Sequence, residues 1–241
     1  MQPKAGNCSL LCTLIFQNRP FMIKSYFLLA IRSIRKQFAY SIINIFGLAL
    51  GLTICLLIIT WIQHELSFDS FHAHSKNLYR ASLEYSFGGQ TSRTSVSPTA
   101  LLPEVTRNFS EVRAGVRLYN PASFSPFVVA YDDTKFQETR FFYSDSTFFT
   151  VFSFPLLKGT PEKVLEEPNS IVVSQATARK YVGDADAVGK TLKVNNSREF
   201  VVTGVMKDMP DNSTLQADFI ASFSTLPQSK TEQWWSAIYQ T

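Results

Sequence analysis

The residues from Gly183 to Thr191 have the composition of a phosphate-binding loop. The segment reads GDADAVGKT, and a loop of the form G-x-x-x-x-G-K-[ST] uses its glycines and lysine to hold nucleotide phosphates. Here five residues, instead of four, separate the two glycines. A phosphate loop also follows a strand and opens a helix, whereas this segment follows a predicted helix and leads into a predicted strand. Spacing and context therefore argue against nucleotide binding.

A group of histidines and acids near the end of the first third of the chain offers the residue types of a metal site. Its members are His64, Glu65, Asp69, His72 and His74. On a strand, His72 and His74 would share a face, but no Cys lies nearby and the H-E-x-x-H spacing is absent. Solvated or structural histidines are the favoured interpretation, so no metal ligand is predicted.

Nothing else in the sequence has the pattern of a catalytic site. No Ser lies in a G-x-S-x-G elbow, and no pair of carboxylates stands out as a catalytic dyad. Trp234 and Trp235 could form a ligand platform, although core or subunit-contact aromatics are the favoured interpretation. The three cysteines, Cys8, Cys12 and Cys55, precede residue 56. The later part of the chain is thus expected to fold without disulfides, and no catalytic or cofactor-binding residue is predicted.

The element that organises the chain is an uncharged apolar segment from Phe38 to Ile62. Its 25 residues read FAYSIINIFGLALGLTICLLIITWI, and a helix of this length can cross a hydrocarbon core of about 30 Å. Six basic and no acidic residues precede it, and the first acid is Glu65. Basic flanks stay in the cytoplasm, so the N-terminus is predicted inside and residues 63–241 outside. A signal peptide is the alternative, but no A-x-A-like cleavage site follows the segment.

The basic N-terminal region is also expected to contact the membrane. From Ile23 to Lys36, apolar residues recur with the i, i+3, i+4, i+7 spacing of an amphipathic helix, which predicts a helix along the inner surface. A simple basic flank is the alternative. Because the basic excess belongs to this region, it indicates anionic lipid and not nucleic acid as its partner.

Within the apolar segment, three residues favour contact with other helices. Gly47 and Gly51 form a G-x-x-x-G pair, which allows close approach of two helices. Asn44 is a polar group at membrane depth and is expected to face protein.

The outer region alternates short strands and helices, which predicts an α+β domain. The predicted strands are 78–85, 112–119, 127–131, 136–143, 170–173, 191–194 and 199–205. The predicted helices are 97–109, with Ser97 as its N-cap, 145–152 and 174–181. Asn195-Asn196 would turn a hairpin, and 208–213 would form a loop.

Several segments together resemble FtsX-like, MacB-type ABC transporter permeases of the Bacteroidetes type. The first is INIFGLALG, residues 43–51, within a similar stretch from residue 23 to 58. The second is ELSFDSFH followed by NLYR, and it carries the motif residues Glu65, Phe68, Asp69, Phe71, His72, Tyr79 and Arg80. Further similar blocks are 151–159, 189–192 and 202–208, so the resemblance extends from Met22 to about Ser224.

The resemblance implies a permease that binds no ATP itself and works with a cytoplasmic ABC ATPase in the bacterial inner membrane. Residues 1–37 would be a cytoplasmic N-terminus with an interfacial helix at about 23–36, residues 38–62 the membrane helix, and residues 63–241 a periplasmic core domain. A permease homodimer or heterodimer is implied, and a periplasmic adaptor protein is a further implied partner. The motif residues are expected to be structural, and no cofactor is expected.

The chain is shorter than such permeases, which need at least four membrane helices. We therefore expect an N-terminal fragment with an incomplete core domain, whose start is Met1 or Met22. The alternative is a single-pass membrane anchor that carries an outer sensing or interaction domain.

Overall fold

The computed structural model of the protein describes residues 19–230 and 237–239. Cys8, Cys12 and the Trp234–Trp235 pair lie outside these residues. The chain divides between Gln63 and His64 into two units, which we describe in turn.

Two consecutive helices account for the described part of the first unit. Helix α1 spans Arg19–Lys36, and helix α2 begins at Phe38 and ends at Leu66. Hydrogen bonds of helical spacing cross Gln37, whose N–H donates to Ser33 O at 3.0 Å and whose carbonyl accepts from Ser41 N–H at 2.9 Å. By length and composition, α2 is the one helix in the described part of the chain that can cross a membrane.

The second unit combines three short helices with many short strands. The helices are α3 (Leu101–Asn108), α4 (Phe148–Val151) and α5 (Gln175–Val182). The strands are β1 (Leu83–Phe87), β2 (Gln90–Thr94), β3 (Ser97–Pro98), β4 (Leu118–Tyr119), β5 (Phe127–Tyr131), β6 (Thr134–Glu138), β7 (Phe141–Ser144), β8 (Leu156–Lys158), β9 (Ser170–Ser174), β10 (Thr191–Val194), β11 (Arg198–Met206), β12 (Phe219–Ser222) and β13 (Ala237–Tyr239).

Nine of these strands form one mixed sheet. Its order is β4-β7-β12-β9-β11-β10-β5-β6, and β8 pairs with the end of β11. The β7–β12 and β9–β11 pairs are parallel, and the other pairs are antiparallel. The β1–β2 hairpin and the β3–β13 pair are separate two-stranded sheets. The predicted α+β class, with one candidate membrane helix before a sheet-rich domain, is confirmed.

The large sheet carries a hydrophobic core on each face. Along β12, Phe219 and Ala221 point to one face and Ile220 to the other, because successive side chains of a strand alternate. Tyr181 of α5 packs in the first core, and Phe148 of α4 packs in the second. The sheet is thus held between two apolar layers, which stabilise it without disulfides.

Two glycines make the close approach of β8 and β11 possible. A Cβ at Gly204 would lie 2.9 Å from both Lys158 O and Val164 Cγ1. Gly159 has a φ of +102° in the left-handed region, which favours glycine. Both residues belong to the blocks that resemble the permease family, so at these positions the motif serves packing.

Several local predictions match the structure. Strand β5 has the predicted bounds, and Ser174 caps α5 by accepting a hydrogen bond from Thr177 N–H. The β10–β11 hairpin turns at Asn195 and Asn196, whose φ values are 50° and 56°. Asn195 and Asn196 follow the preference of Asn for left-handed backbone in such turns.

Other predicted bounds are wrong because long-range pairing overrides local pattern. The predicted 78–85 strand begins only at Leu83, and the 112–119 strand is confined to Leu118–Tyr119. Ser97 does not cap a helix, because Ser97–Pro98 pairs with β13, and α3 starts at Leu101. The predicted 145–152 helix is limited to Phe148–Val151.

The predicted 136–143 strand is two strands, β6 and β7. They end and begin on either side of Thr139–Arg140, where Arg140 O accepts hydrogen bonds from Asp218 N–H and Phe219 N–H at 3.0 and 3.2 Å. At this break the chain leaves β5, the partner of β6, and begins to pair with β12 through β7. No strand was predicted at the positions of β2, β8, β12 and β13.

Candidate functional site

The chain leaves helix α2 through a short irregular segment, Ser67–His74, which we call the connector. Its first turn closes the helix, because Ser67 N–H and Oγ both donate to His64 O, at 3.1 and 2.6 Å. Asp69 has a φ of 53°, a left-handed conformation that Asp tolerates better than most residues. The connector lies within the second unit and contains Phe68, Asp69, Phe71 and His72 of the predicted motif.

One end of the connector is bound to the loop at residues 212–214. Asp69 N–H donates to Asn212 O at 3.0 Å, and the Asp69 Oδ1 atom accepts from Thr214 N–H at 3.0 Å and from Ser213 Oγ at 3.2 Å. In return, Asn212 Nδ2 donates to Ser67 O and Oγ at 3.1 and 3.2 Å. The Asp69 carboxylate therefore fixes a backbone that is 145 residues away in the sequence.

The other end of the connector is bound to Ser153, just after helix α4. The Nδ1 atom of His72 accepts a hydrogen bond from Ser153 N–H at 3.2 Å, and Ala73 N–H donates to Ser153 Oγ at 2.9 Å. Since His72 Nδ1 is the acceptor, the neutral ring carries its proton on Nε2. Two hydrogen bonds of opposite direction thus join the two segments.

Aromatic rings surround this second contact. The His72 ring lies 5.0 Å from Phe154 and 5.4 Å from Phe152, and Phe71 lies 5.6 Å from Phe154. His72 is 4% exposed. Burial lowers the pKa of His72, and the Asp69 charge opposes that shift only in part, so the neutral imidazole is favoured.

The connector is therefore anchored at two points on different parts of the domain. One anchor precedes strand β12, and the other precedes strand β8. These contacts consist of hydrogen bonds and ring packing. A displacement of the connector must act on both segments or break the hydrogen bonds at one anchor.

Replacement of Asp69 tests the first anchor. We expect Asp69→Ala to lower the free energy of unfolding by about 1–3 kcal/mol, because Thr214 N–H and Ser213 Oγ lose a charged acceptor. Asp69→Asn retains an oxygen acceptor and tolerates positive φ, so its loss is expected to be smaller. Denaturant unfolding of the full chain in detergent, followed by near-ultraviolet circular dichroism, measures both.

Asp132→Ala is the matched control for this substitution. Asp132 also has positive φ, at 47°, but it lies in the exposed β5–β6 turn. If Asp69→Ala costs no more than Asp132→Ala, the first anchor contributes nothing beyond backbone strain.

The structure brings only part of the predicted motif together. Asp69, Phe71 and His72 make the contacts described above, whereas Phe68 packs edge-on against His64 at 5.3 Å. Glu65 and Arg80 are exposed, and Tyr79 is 88% exposed. The structural role of the motif residues stays a prediction.

The predicted helix-packing residues lie on the exposed surface of α2. Asn44 is exposed, and no atom lies within 4 Å of the position that a Cβ would take on Gly47 or Gly51. Contact between this surface and another membrane helix stays a prediction.

Sequence reasoning missed the partners of the connector. Ser153, Asn212, Ser213 and Thr214 supply its hydrogen bonds. The pattern Asn-Ser-Thr after Pro210 could have indicated a loop rich in side-chain hydrogen bonds, but nothing local links it to residue 69.

The phosphate-loop-like segment and the histidine group have the following places in the structure. The phosphate-loop-like segment joins α5 to β10: Gly183 ends the helix with a φ of +69°, and Gly189 N–H donates to Val202 O at 2.7 Å. Among the described residues, no three of His, Cys, Asp and Glu are grouped closely enough to hold a metal ion. His64 and His74 are exposed.

An open groove of about 300 Å³ lies beside a partly buried ion pair. Arg117 Nε and Nη2 donate to the two Asp145 carboxylate oxygens at 2.9 and 2.6 Å, and Arg117 lies 4.3 Å from the centre of the Phe223 ring. Four serines line the groove, but its lining includes no His, Cys or Lys to activate them. Arg117 and Asp145 are paired with each other, which favours a structural role for these two residues.

Comparison with known proteins identifies a family that matches most of the chain. The family model described as the MacB-like periplasmic core domain matches residues 41–241. No curated protein matches the chain.

Solved structures with the same fold include a domain of a permease protein from Porphyromonas gingivalis, at 19% identity and a TM-score of 0.56, over 67% of this chain and 71% of that one. The periplasmic region of MacB from Actinobacillus actinomycetemcomitans aligns over 56% of this chain and 61% of that one, at 17% identity and a TM-score of 0.38. The extracellular domain of the ABC-type transporter YknZ from Gram-positive bacteria aligns at 15% identity and a TM-score of 0.40, over 59% and 72%.

The family model covers far more than half of the chain, and it begins within helix α2 and continues through the connector and the large sheet. The resemblance seen in the motifs is confirmed. The chain belongs to the MacB-like periplasmic core domain family of ABC-type permeases.

Proposed function

We propose that the chain is the N-terminal portion of a permease subunit in an ABC-type export system. Residues 1–37 would form a cytoplasmic segment whose amphipathic helix, at about 23–36, lies on anionic lipid. Residues 38–62 would cross the bacterial inner membrane. Residues 63–241 would form the periplasmic core domain, which changes conformation as substrate leaves.

The observation that carries the proposal is the direct continuation of an apolar helix into a connector anchored twice in a core domain of this family. The Asp69 and His72 contacts attach the end of the helix to segments that precede β12 and β8. Such an attachment suits a part that transmits movement, because a rigid hydrogen-bonded link transfers displacement to both segments.

The energy would come from a partner protein. Members of the MacB and FtsX type work with a cytoplasmic ATPase and form dimers. For this chain we infer an ABC ATPase partner, a permease homodimer or heterodimer and a periplasmic adaptor protein. We infer no cofactor bound to the chain, no catalytic residue and no nucleic-acid partner, since ATP would bind to the ATPase.

A single-pass anchor with an outer sensing or interaction domain is the second candidate. An anchor needs one helix that is long and apolar enough to cross a membrane, and among the described residues α2 meets that requirement. Export needs further membrane helices, and a sensor does not.

The source DNA beyond the codon for Thr241 distinguishes the two candidates. The permease proposal expects the reading frame to continue through three or more apolar segments of about 20 residues. A stop codon directly after Thr241 would contradict it and support the anchored domain.

A further inference from the structure

The second anchor of the connector depends on the protonation state of one side chain. His72 Nδ1 accepts from Ser153 N–H, which can only donate. A proton on Nδ1 would place two N–H groups against each other, so the hydrogen bond cannot survive protonation at this atom. The Ala73–Ser153 bond beside it does not involve a titratable group.

The surroundings of His72 offer little compensation for a positive charge. The rings of Phe71, Phe152 and Phe154 pack against it, and residues 148–154 contain no titratable side chain. On the connector, Asp69 is the acid that acts on the ring, and His74 is exposed.

The charged groups of the neighbouring 207–214 loop are directed elsewhere. Lys207, Asp208 and Asp211 are exposed, and Asp208 Oδ1 accepts from Ala176 N–H at 2.9 Å. A protonated His72 would therefore have the Asp69 carboxylate as its one favourable charge, and that carboxylate already accepts from Ser213 and Thr214.

We propose that the His72–Ser153 contact is a proton-released clasp, which holds the connector to the segment after α4 at neutral pH and opens on acidification. The 212–214 anchor does not use His72 and remains closed. Acidification thus leaves the 212–214 anchor intact and reduces the hydrogen bonds of the second anchor from two to one, the Ala73–Ser153 bond. Under the proposed function, on which this regulatory role rests, acid would weaken the transfer of movement toward strand β8.

The direction in which the pKa of His72 is shifted determines how the stability of the clasp depends on pH. The folded pKa of His72 lies below the value of about 6.5 that an open, solvated histidine has. The open state therefore binds more protons, and the clasp loses stability as pH falls below about 6.5, down to the folded pKa. In that interval the open population rises about tenfold per pH unit.

Amide hydrogen exchange of the full chain in detergent, resolved to single residues and corrected for intrinsic exchange rates, tests the proposal. Between pH 7.5 and pH 5, protection of Ser153 N–H is expected to stay constant down to about pH 6.5 and to fall below that pH. The Gly189 amide, which donates to Val202 O in the distant sheet, serves as the reference and is expected to keep its protection.

Two variants separate the clasp from a general effect of acid. His72→Asn places an amide oxygen near the Nδ1 position and does not titrate, so the fall at Ser153 is expected to disappear. His74→Asn removes an exposed histidine and is expected to behave as wild type. The proposal would be overturned if the protection of Ser153 N–H fell equally in wild type and His72→Asn. It would also be overturned if that protection did not fall in wild type.

A ¹⁵N imidazole spectrum of the wild-type chain provides a reading that does not depend on any variant. It is expected to show an unprotonated Nδ1 for His72 at pH 7.5, and a protonated Nδ1 at that pH would overturn the clasp. Neither measurement involves transport, so a failed clasp leaves the proposed function intact. Loss of the proposed function would leave both readings unchanged.

Discussion

Asp145→Ala is expected to lower the free energy of unfolding by about 3 kcal/mol, the lower end of the range for removal of one partner of a buried ion pair, because this pair is only partly buried. The side chains of Arg117 and Asp145 are only 13% and 16% exposed. The Asp145 carboxylate also accepts from Arg117 N–H at 2.8 Å. Without it, the guanidinium keeps its 3.4 Å contact with Thr99 O but has no counter-charge. Denaturant unfolding in detergent measures the loss.

Glu84→Ala is the matched control for this prediction. Glu84 pairs with Arg93 at 3.0 Å on the β1–β2 hairpin, where the two side chains are 56% and 73% exposed. Exposed pairs contribute about 0–1 kcal/mol. Similar losses for Asp145→Ala and Glu84→Ala would mean that solvent already screens the Arg117–Asp145 pair.

Phe141→Ala is expected to cost about 3–5 kcal/mol, because it removes a large side chain from the core and leaves a cavity. Phe141 is fully buried on β7. Its ring centre lies 5.1 Å from that of Phe127, 5.5 Å from Phe219 and 5.9 Å from Phe200, so strands β5, β12 and β11 all lose contacts. The shift in the denaturation midpoint of the full chain measures the effect.

Phe124→Ala is the matched control for Phe141→Ala, because the Phe124 side chain is not buried. It is 88% exposed, and Phe124→Ala is expected to change stability by less than about 0.5 kcal/mol. If Phe124→Ala leaves stability unchanged and Phe141→Ala lowers the free energy of unfolding by less than about 1 kcal/mol, Phe141 does not belong to the core of the domain.

Local patterns in the sequence were sufficient to predict elements that local chemistry determines. The apolar segment at 38–62 predicted helix α2, Ser174 predicted the start of α5, and Asn195–Asn196 predicted the β10–β11 turn. In each case the residues that decide the structure lie within a few positions of each other. The α+β class followed from these elements and was confirmed by the sheet.

Strand bounds failed where distant partners decide them. Ser97–Pro98 has the pattern of a helix start, yet it forms a strand because Ala237 and Tyr239 pair with it. The break between β6 and β7 depends on Asp218 and Phe219, which lie almost 80 residues later. No local pattern carries that information.

Buried polar contacts were equally hard to predict. Glu138 accepts from both Tyr181 Oη and Lys180 Nζ at 2.7 Å, and burial together with Glu138 raises the pKa of Tyr181. The connector is the same kind of case, since residues 69 and 214 meet only in the fold. The motif could identify Asp69 and His72 as candidates, but their partners required the structure.

We proposed that residues 63–241 lie on the far side of the membrane from α1, and cysteine labelling tests this topology. Single cysteines would replace the exposed residues Gln37 and Ser75 in a chain whose native cysteines are changed to Ser. In spheroplasts, a membrane-impermeant maleimide is expected to label Ser75→Cys at once and Gln37→Cys only after lysis. Labelling of Gln37→Cys before lysis, or of Ser75→Cys only after lysis, would contradict the proposed topology.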